Sequence, residues 1–223
     1  PGVKIEYFGV QNPECDHRGL DVEENLGMLR FRTKSGDRIF PVELSLEGIH
    51  YVSDALAAVG VGLALGVSVE EICHRLAGFR NMAGRQEIFE AKGCTVIKDC
   101  YNAGPESMAA ALAVLGNRTG RRVAVLGDML ELGVCAPAEH YRVGRIAAEK
   151  ADMVLAYGPH ADRVVSGAVT GGMNASMARD FGDRDEIVAA MKRMIKPGDV
   201  ILVKGSHGMR MELILDRFLA EET

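Results

Sequence analysis

The 223 residues include no tryptophan, and only 5% are aromatic. That scarcity removes the stacking platforms on which single-stranded nucleic acid is held. A basic excess is missing too: 26 Lys and Arg against 31 Asp and Glu leave a formal net charge of -5. Such a balance gives no electrostatic footprint for DNA, RNA or an anionic membrane, so neither kind of partner is expected. No apolar run is long enough to span a bilayer; the longest, Ala55 to Leu65, is short and broken by glycine. The five cysteines (Cys15, Cys73, Cys94, Cys100, Cys135) contain no C-x-x-C pair. They read as reduced thiols of a cytoplasmic protein rather than a disulfide framework. The N-terminus shows no secretory h-region, and a chain that opens on Pro1 in an apparent strand reads as a piece of a longer one.

Two further absences bear directly on chemistry. No G-x-x-x-x-G-K-[ST] occurs, and no G-x-G-x-x-G follows a strand; Gly60-Val61-Gly62 sits inside a helical pattern. By itself the chain cannot build a P-loop cradle for phosphates. His50, His140 and His207 lie on different elements with no partner at metal-ligand spacing, so no metal site is expected. Cys15-Asp16-His17 falls in an apparent polar loop and reads as a chance grouping. Cys100 follows Asp99 but has no neighbouring base, which argues against a nucleophile.

What is present is a core-forming composition, 48% hydrophobic, arranged in two textures. Up to about Leu46 the pattern is β. Val3, Ile5 and Tyr7 alternate as one face of a half-buried strand would, and Met28–Arg32 and Arg38–Val42 flank Lys34-Ser35-Gly36-Asp37 as a hairpin. Tyr51 to Leu65 has helical spacing with Gly66 as a stop, and Ser68-Val69-Glu70-Glu71 has the form of a capping box opening a second helix. Gly78 to Arg85 reads as a connector, and a domain boundary is placed between residues 86 and 87.

Beyond it, short apolar strands alternate with helices. The strands are Thr95–Ile97, Val123–Leu126, Met153–Ala156 and Val200–Val203, with a weaker one within Ser176–Phe181. Helices are expected over 105–115, 137–150, 160–169, 183–195 and 209–219, two of them opening on Pro105 and Pro137. Uninterrupted apolar strands separated by helices imply an α/β fold with a Rossmann-like, mostly parallel sheet covered on both faces.

In such a sheet ligands bind beyond the carboxyl ends of the strands. The residues found there are Lys98 to Pro105, Gly127 to Gly133, Tyr157 to His160, and Lys204 to Gly208. Each stretch is an ordinary turn taken alone; together they place polar groups on one rim. Asp99 can accept from sugar hydroxyls or cap the next helix. Lys204 can meet a carboxylate or phosphate, or simply be solvated. Ser206 can open a helix N-terminus to an anion.

Four segments carry a resemblance. Asp99-Cys100-Tyr101-Asn102-Ala103-Gly104-Pro105-Glu106-Ser107-Met108 is similar to a D-S-Y-N-A-N-P-x-S-M segment, and Leu126 to Gly133 to L-G-D-M-x-E-L-G. Val203 to Glu212 resembles V-K-G-S-x-x-M-x-M-E. Gly48-Ile49-His50 with Ala55 to Ala58 resembles G-x-H-N-x-x-N-A-L-A-A, with Tyr51 and Asp54 standing where that pattern has asparagines. Taken in chain order from Gly48 to Glu212, these segments resemble those of the Mur ligase family, in its branch that adds D-alanyl-D-alanine.

The resemblance implies that residues 1–86 are the β-hairpin and helical tail of a truncated P-loop ATPase domain, and 87–223 the C-terminal Rossmann-like domain. It implies an ATP-dependent amide ligase, with Mg²⁺, acting on UDP-N-acetylmuramoyl-tripeptide and D-alanyl-D-alanine as a cytoplasmic monomer, and a fragment inactive alone. Another amino-acid acceptor, or a non-catalytic binding module, is the alternative. By the same resemblance His50, Tyr51, Asp54, Arg85, Asp99 and Asn102 would bind the nucleotide, Asp99 at the ribose. Asn102 is also the one candidate for a catalytic role. Lys204, Ser206 and His207 would face the dipeptide.

Overall fold

The computed structural model describes residues 2–220. The chain divides into two compact units, residues 1–81 and 82–223. This division lies between 81 and 82 rather than between 86 and 87, because the stretch before residue 87 is hydrogen-bonded into the second unit. Tyr101 N donates to Gly84 O at 3.0 Å, and Gln86 N to the Asp99 carboxylate at 3.3 Å.

The first unit is a four-stranded sheet in the order β1 (Phe8–Gly9), β2 (His17–Asn25), β3 (Met28–Ser35), β4 (Arg38–Leu44), with helices α1 (His50–Ala64) and α2 (Val69–Gly78). The β3–β4 hairpin closes with Ser35 opposite Arg38, and Gly36 supplies the left-handed φ of 57° that the tight turn demands. Leu29 and Phe31 of β3 and Phe40, Val42 and Leu44 of β4 alternate onto one face, where they bury against Val52, Leu56 and Val59 of α1 and Ile72 of α2. Ser68 Oγ accepts from Glu71 N at 3.2 Å and so caps α2.

Two sequence expectations fail here. Val3, Ile5 and Tyr7 form no strand and are 89%, 67% and 64% exposed. Alternation alone does not make a strand without a neighbour to pair with, and pairing begins only at Phe8, opposite His17. Conversely, His17 is not in a loop. It opens β2 and is buried, with Nδ1 2.8 Å from Ser35 Oγ and its ring against Gly60 of α1, where a Cβ would come within 2.8 Å of the imidazole.

The second unit holds a six-stranded sheet: β5 (Glu87–Ala91), β6 (Cys94–Asp99), β7 (Arg122–Gly127), β8 (Met153–Tyr157), β9 (Ala178–Phe181) and β10 (Val200–Lys204). The spatial order is β5-β6-β10-β7-β8-β9, parallel throughout except for the β5–β6 hairpin. The connecting helices are α3 (Pro105–Gly116), α4 (Ala136–Lys150), α5 (Ala161–Thr170), α6 (Arg184–Met194) and α7 (Met211–Leu219).

Period-2 alternation divides the strands between two cores. Ile97, Ala124, Leu126, Val154 and Leu202 bury against Leu112 of α3, Val143 of α4 and Val164 of α5. Val96, Val123, Val125, Leu155 and Ile201 bury against Ile187 of α6 and Ile214 of α7. From β7 the chain steps outward to β9, then returns through α6 to set β10 between β6 and β7. That return puts Lys204 beside both Asp99 and Leu126. Among the described residues no helix is long and apolar enough to cross a membrane.

Candidate active site

At the carboxyl edge of the second sheet, β10 ends on Lys204, whose register partner in β6 is Asp99. The lysine is 2% exposed, so its ammonium must be paired; burial of an unpaired charge is prohibitively costly. Nζ donates to Asp99 Oδ2 at 2.6 Å and to the Asn102 carbonyl at 2.9 Å. Lys204 is therefore not the solvated side chain that its type suggests. It is turned inward, clamping the end of β6 and the approach to α3. Asp99 keeps 16% of its side chain exposed, and its Oδ1 accepts from Gln86 N at 3.3 Å. Each carboxylate oxygen can accept a further hydrogen bond.

Ser206 is also buried and also spent on the protein. Its Oγ donates to Ala103 O at 3.2 Å and accepts from Leu130 N at 2.9 Å, while its N–H donates to Asp128 O at 3.0 Å. One serine thus ties the loops after β6, β7 and β10 together. His207 is exposed, with its ring 6.0 Å from that of Tyr101. Asn102 is exposed, and its side-chain oxygen accepts from Ala103 N at 2.9 Å.

Arg85 is exposed and stacks its guanidinium on Tyr101, 4.3 Å from the ring centroid. Stacking holds the cation in place while leaving its N–H fork available. Tyr101, 48% exposed, was not singled out in the sequence, although it sits inside the Asp99–Pro105 motif. The signal for it was an aromatic residue two positions beyond a strand-end carboxylate.

Cys100 points the other way. Its thiol donates to Val203 O, and burial pushes its pKa up to about 12, so it is no nucleophile at neutral pH. Asp128, 2% exposed, is likewise held above the ordinary carboxylate range by burial, against the opposing influence of His140 and His160.

In the first unit, His50, Tyr51 and Asp54 occupy the opening turns of α1. The His50 and Tyr51 rings lie 4.2 Å apart, and the Tyr51 hydroxyl bonds to the Asn81 side chain at 2.9 Å. Asp54 is exposed one turn on. Six of the nine sequence candidates thus converge on the carboxyl edge of the second sheet, and these three belong to the first unit. Among the described residues no three His, Cys, Asp or Glu side chains are grouped so as to hold a metal ion.

A doubly wound sheet with basic, acidic and aromatic groups gathered at its carboxyl edge has the form of an α/β unit whose candidate ligand site lies at that edge. Residues 84–207 match the family model described as "Mur ligase, glutamate ligase domain", and the chain belongs to the Mur ligase family. It is 33% identical over 222 residues to the UDP-N-acetylmuramoyl-tripeptide–D-alanyl-D-alanine ligase of Mycobacterium bovis, covering 90% of this chain and 44% of that one. Against the enzyme of that name from Escherichia coli the identity is 34%, covering 95% and 46%. The crystal structure of MurF from Acinetobacter baumannii superposes with a TM-score of 0.86 at 30% identity, over 96% of this chain and 46% of that one. MurF from Thermotoga maritima, solved in complex with ADP, superposes at 0.78 with 26% identity, over 96% and 48%. The chain therefore spans under half the length of the relatives it matches.

Proposed function

We propose that this chain is part of an ATP-dependent amide ligase that joins D-alanyl-D-alanine to UDP-N-acetylmuramoyl-tripeptide in the cytosol. The carrying observation is the carboxyl-edge assembly of Arg85, Tyr101, Asp99 and Asn102, set on the motifs that resemble that branch of the family. Residues 1–81 are read as the tail of the central ATPase domain and 82–223 as the C-terminal domain. The phosphate cradle and the Mg²⁺ ligands are assigned to the part of the relatives that this chain does not span.

When bound, ATP would supply the phosphoryl group that activates the tripeptide carboxylate, so that the dipeptide amine can displace phosphate and lose a proton. The residues here fit part of a nucleotide. Arg85 offers a pre-oriented guanidinium to a phosphate, and Asp99 offers acceptors to ribose hydroxyls. Asn102, beside them, is read as the residue near the transferred group. His50, Tyr51 and Asp54 are read as facing the base; the carboxylate of Asp54 accepts hydrogen bonds but cannot donate as an asparagine does.

The inward turn of Lys204 and Ser206 supports a second reading of their work. Both are better read as holding Asp99, Asn102 and the 128–130 backbone in place, leaving the exposed His207 to meet the dipeptide.

The test is ADP release by the full-length gene product, given UDP-N-acetylmuramoyl-tripeptide and a panel of acceptors, with this chain run beside it. Release that requires D-alanyl-D-alanine, and none from this chain alone, is expected. Release with a different acceptor would keep the chemistry and overturn the substrate. Turnover by residues 1–223 alone would overturn the assignment of the phosphate cradle.

A further inference from the structure

The Asp128–Leu130 backbone follows β7 in a turn that carries N–H groups beneath the rim. Buried N–H groups need acceptors, and each of the two here finds a side chain on another element. Leu130 N donates to Ser206 Oγ at 2.9 Å. Met129 N donates to His140 Nε2 at 2.9 Å. His140 lies on the first turns of α4 and is 1% exposed; its Nδ1 is 2.7 Å from Ala136 O.

A carbonyl can only accept, so Nδ1 carries the proton and Nε2 is the bare acceptor. Both ring nitrogens are thereby committed, and the ring is neutral. The charged groups around it are few. Asp128 Oδ1 lies 3.6 Å from Nε2 and accepts from His160 N at 3.2 to 3.3 Å through both its oxygens. The His160 ring stands 4.8 Å from that of His140, from the start of α5. Asp162, on α5, raises the proton affinity of Asp128. Glu139, next to His140 on α4, is paired with Arg142.

We propose that His140 is a positioning residue for the carboxyl-edge site. Its bare Nε2 holds the Met129–Leu130 backbone against the loops that carry Asn102 and Ser206, and uptake of a proton at Nε2 releases that backbone. A proton there sets N–H against N–H, so the Met129 contact must break, and the imidazolium turns to the Asp128 carboxylate instead. Leu130 loses its fixed distance to Ser206 Oγ, and through Ser206 the change reaches Ala103 and the approach to α3. The rim is thus ordered only while His140 is neutral. The consequence for turnover rests on the ligase reading above; the tautomer and the hydrogen bond do not.

The experiment has two arms. In this chain, nitrogen-15 NMR should show His140 protonated at Nδ1 and bare at Nε2 at neutral pH, and the protection of the Met129 amide should fall about tenfold or more as the ring takes up its second proton. The opposite tautomer, or protection unchanged by protonation, would overturn the proposal. In the full-length ligase, His140→Gln places an amide oxygen near the Nε2 position and cannot titrate. It should keep kcat/KM at neutral pH within about threefold while abolishing the acid-side fall expected of the unsubstituted enzyme, whereas His140→Phe should lose about tenfold or more. A Gln variant that keeps the acid limb, or a Phe variant at full rate, would overturn it. Inactivity of the unsubstituted enzyme would remove the ligase reading and leave the NMR arm to decide this one.

Discussion

Lys204 and Asp99 show what a residue type reveals and what it hides. Their chemistry was plain in the sequence, at the ends of two apolar strands, but their partnership was not. A lysine closing a buried strand is equally consistent with a solvated tail, and only the placement of β10 beside β6 brings the ammonium within 2.6 Å of the carboxylate. Removing one member of a buried pair leaves an uncompensated charge. Lys204→Met is therefore expected to lower stability by about 3 kcal/mol, with Asp99→Asn costing clearly less in that background than alone. Denaturant midpoints of the two single variants and the double variant measure this; simple additivity would show that the pair is not coupled. On the ligase reading, loss of Lys204 is expected to act through Asp99 and to weaken ATP use as well as dipeptide use.

Cys100 makes a second residue-scale prediction. With its thiol held protonated to about 12, alkylation of the native chain near pH 8 should modify exposed Cys135 first and reach Cys100 only on unfolding. Mass mapping checks the order. The sign for stability follows from linkage. The unfolded thiol releases its proton near 9.0 and the folded one only near 12, so the unfolded state binds fewer protons between them. Stability accordingly falls as pH rises through that window, and Cys100→Ala should flatten this part of the decline in pH-dependent melts.

At the scale of elements, helices and buried strands were readable where periodicity and caps agreed. Ser68 caps the helix that its spacing announced, and Asp183 caps the helix expected over 183–195. The failures are two weakly patterned strands. In β2 the sequence HRGLDVEEN has Leu20 and Val22 as its only aliphatic side chains, and β5, EIFEA, is five residues long with Ile88 and Phe89 side by side. Both are drawn into extended form by pairing with β3 and β6, while Val22 and Phe89 pack against the cores of their units.

The packing of α4 against α5 was equally silent in the sequence, because it depends on atoms that are absent. A Cβ on Gly144 would lie 2.0 Å from Val164 O, and one on Gly167 would lie 2.0 Å from Tyr141 O. Helix propensity favours alanine over glycine by about 1 kcal/mol. Here, however, the clash is with backbone that cannot rotate away. Gly144→Ala and Gly167→Ala are each expected to lower stability by about 2 kcal/mol, whereas Gly78→Ala, facing open space at the end of α2, should not destabilise. Thermal melts of the three variants decide between propensity and packing.

At the scale of the whole molecule, each unit has its own buried cluster, one in the first and two on the opposite faces of the second sheet. Residues 82–223 expressed alone should therefore melt in a single cooperative transition. A gradual, non-cooperative melt would show that this unit's core is incomplete. The amino-acid sequence determined the α/β class, the run of strands and helices after residue 94, and the four motifs on which the family likeness rests, because those depend on local periodicity and on residue identity. The order of strands, the burial of Lys204 and Ser206, and the burial of His140 beneath the rim were decided only by tertiary structure. Each depends on β10 returning to the centre of the sheet or on a loop meeting a distant helix, and such contacts between residues far apart in the chain leave no periodic trace.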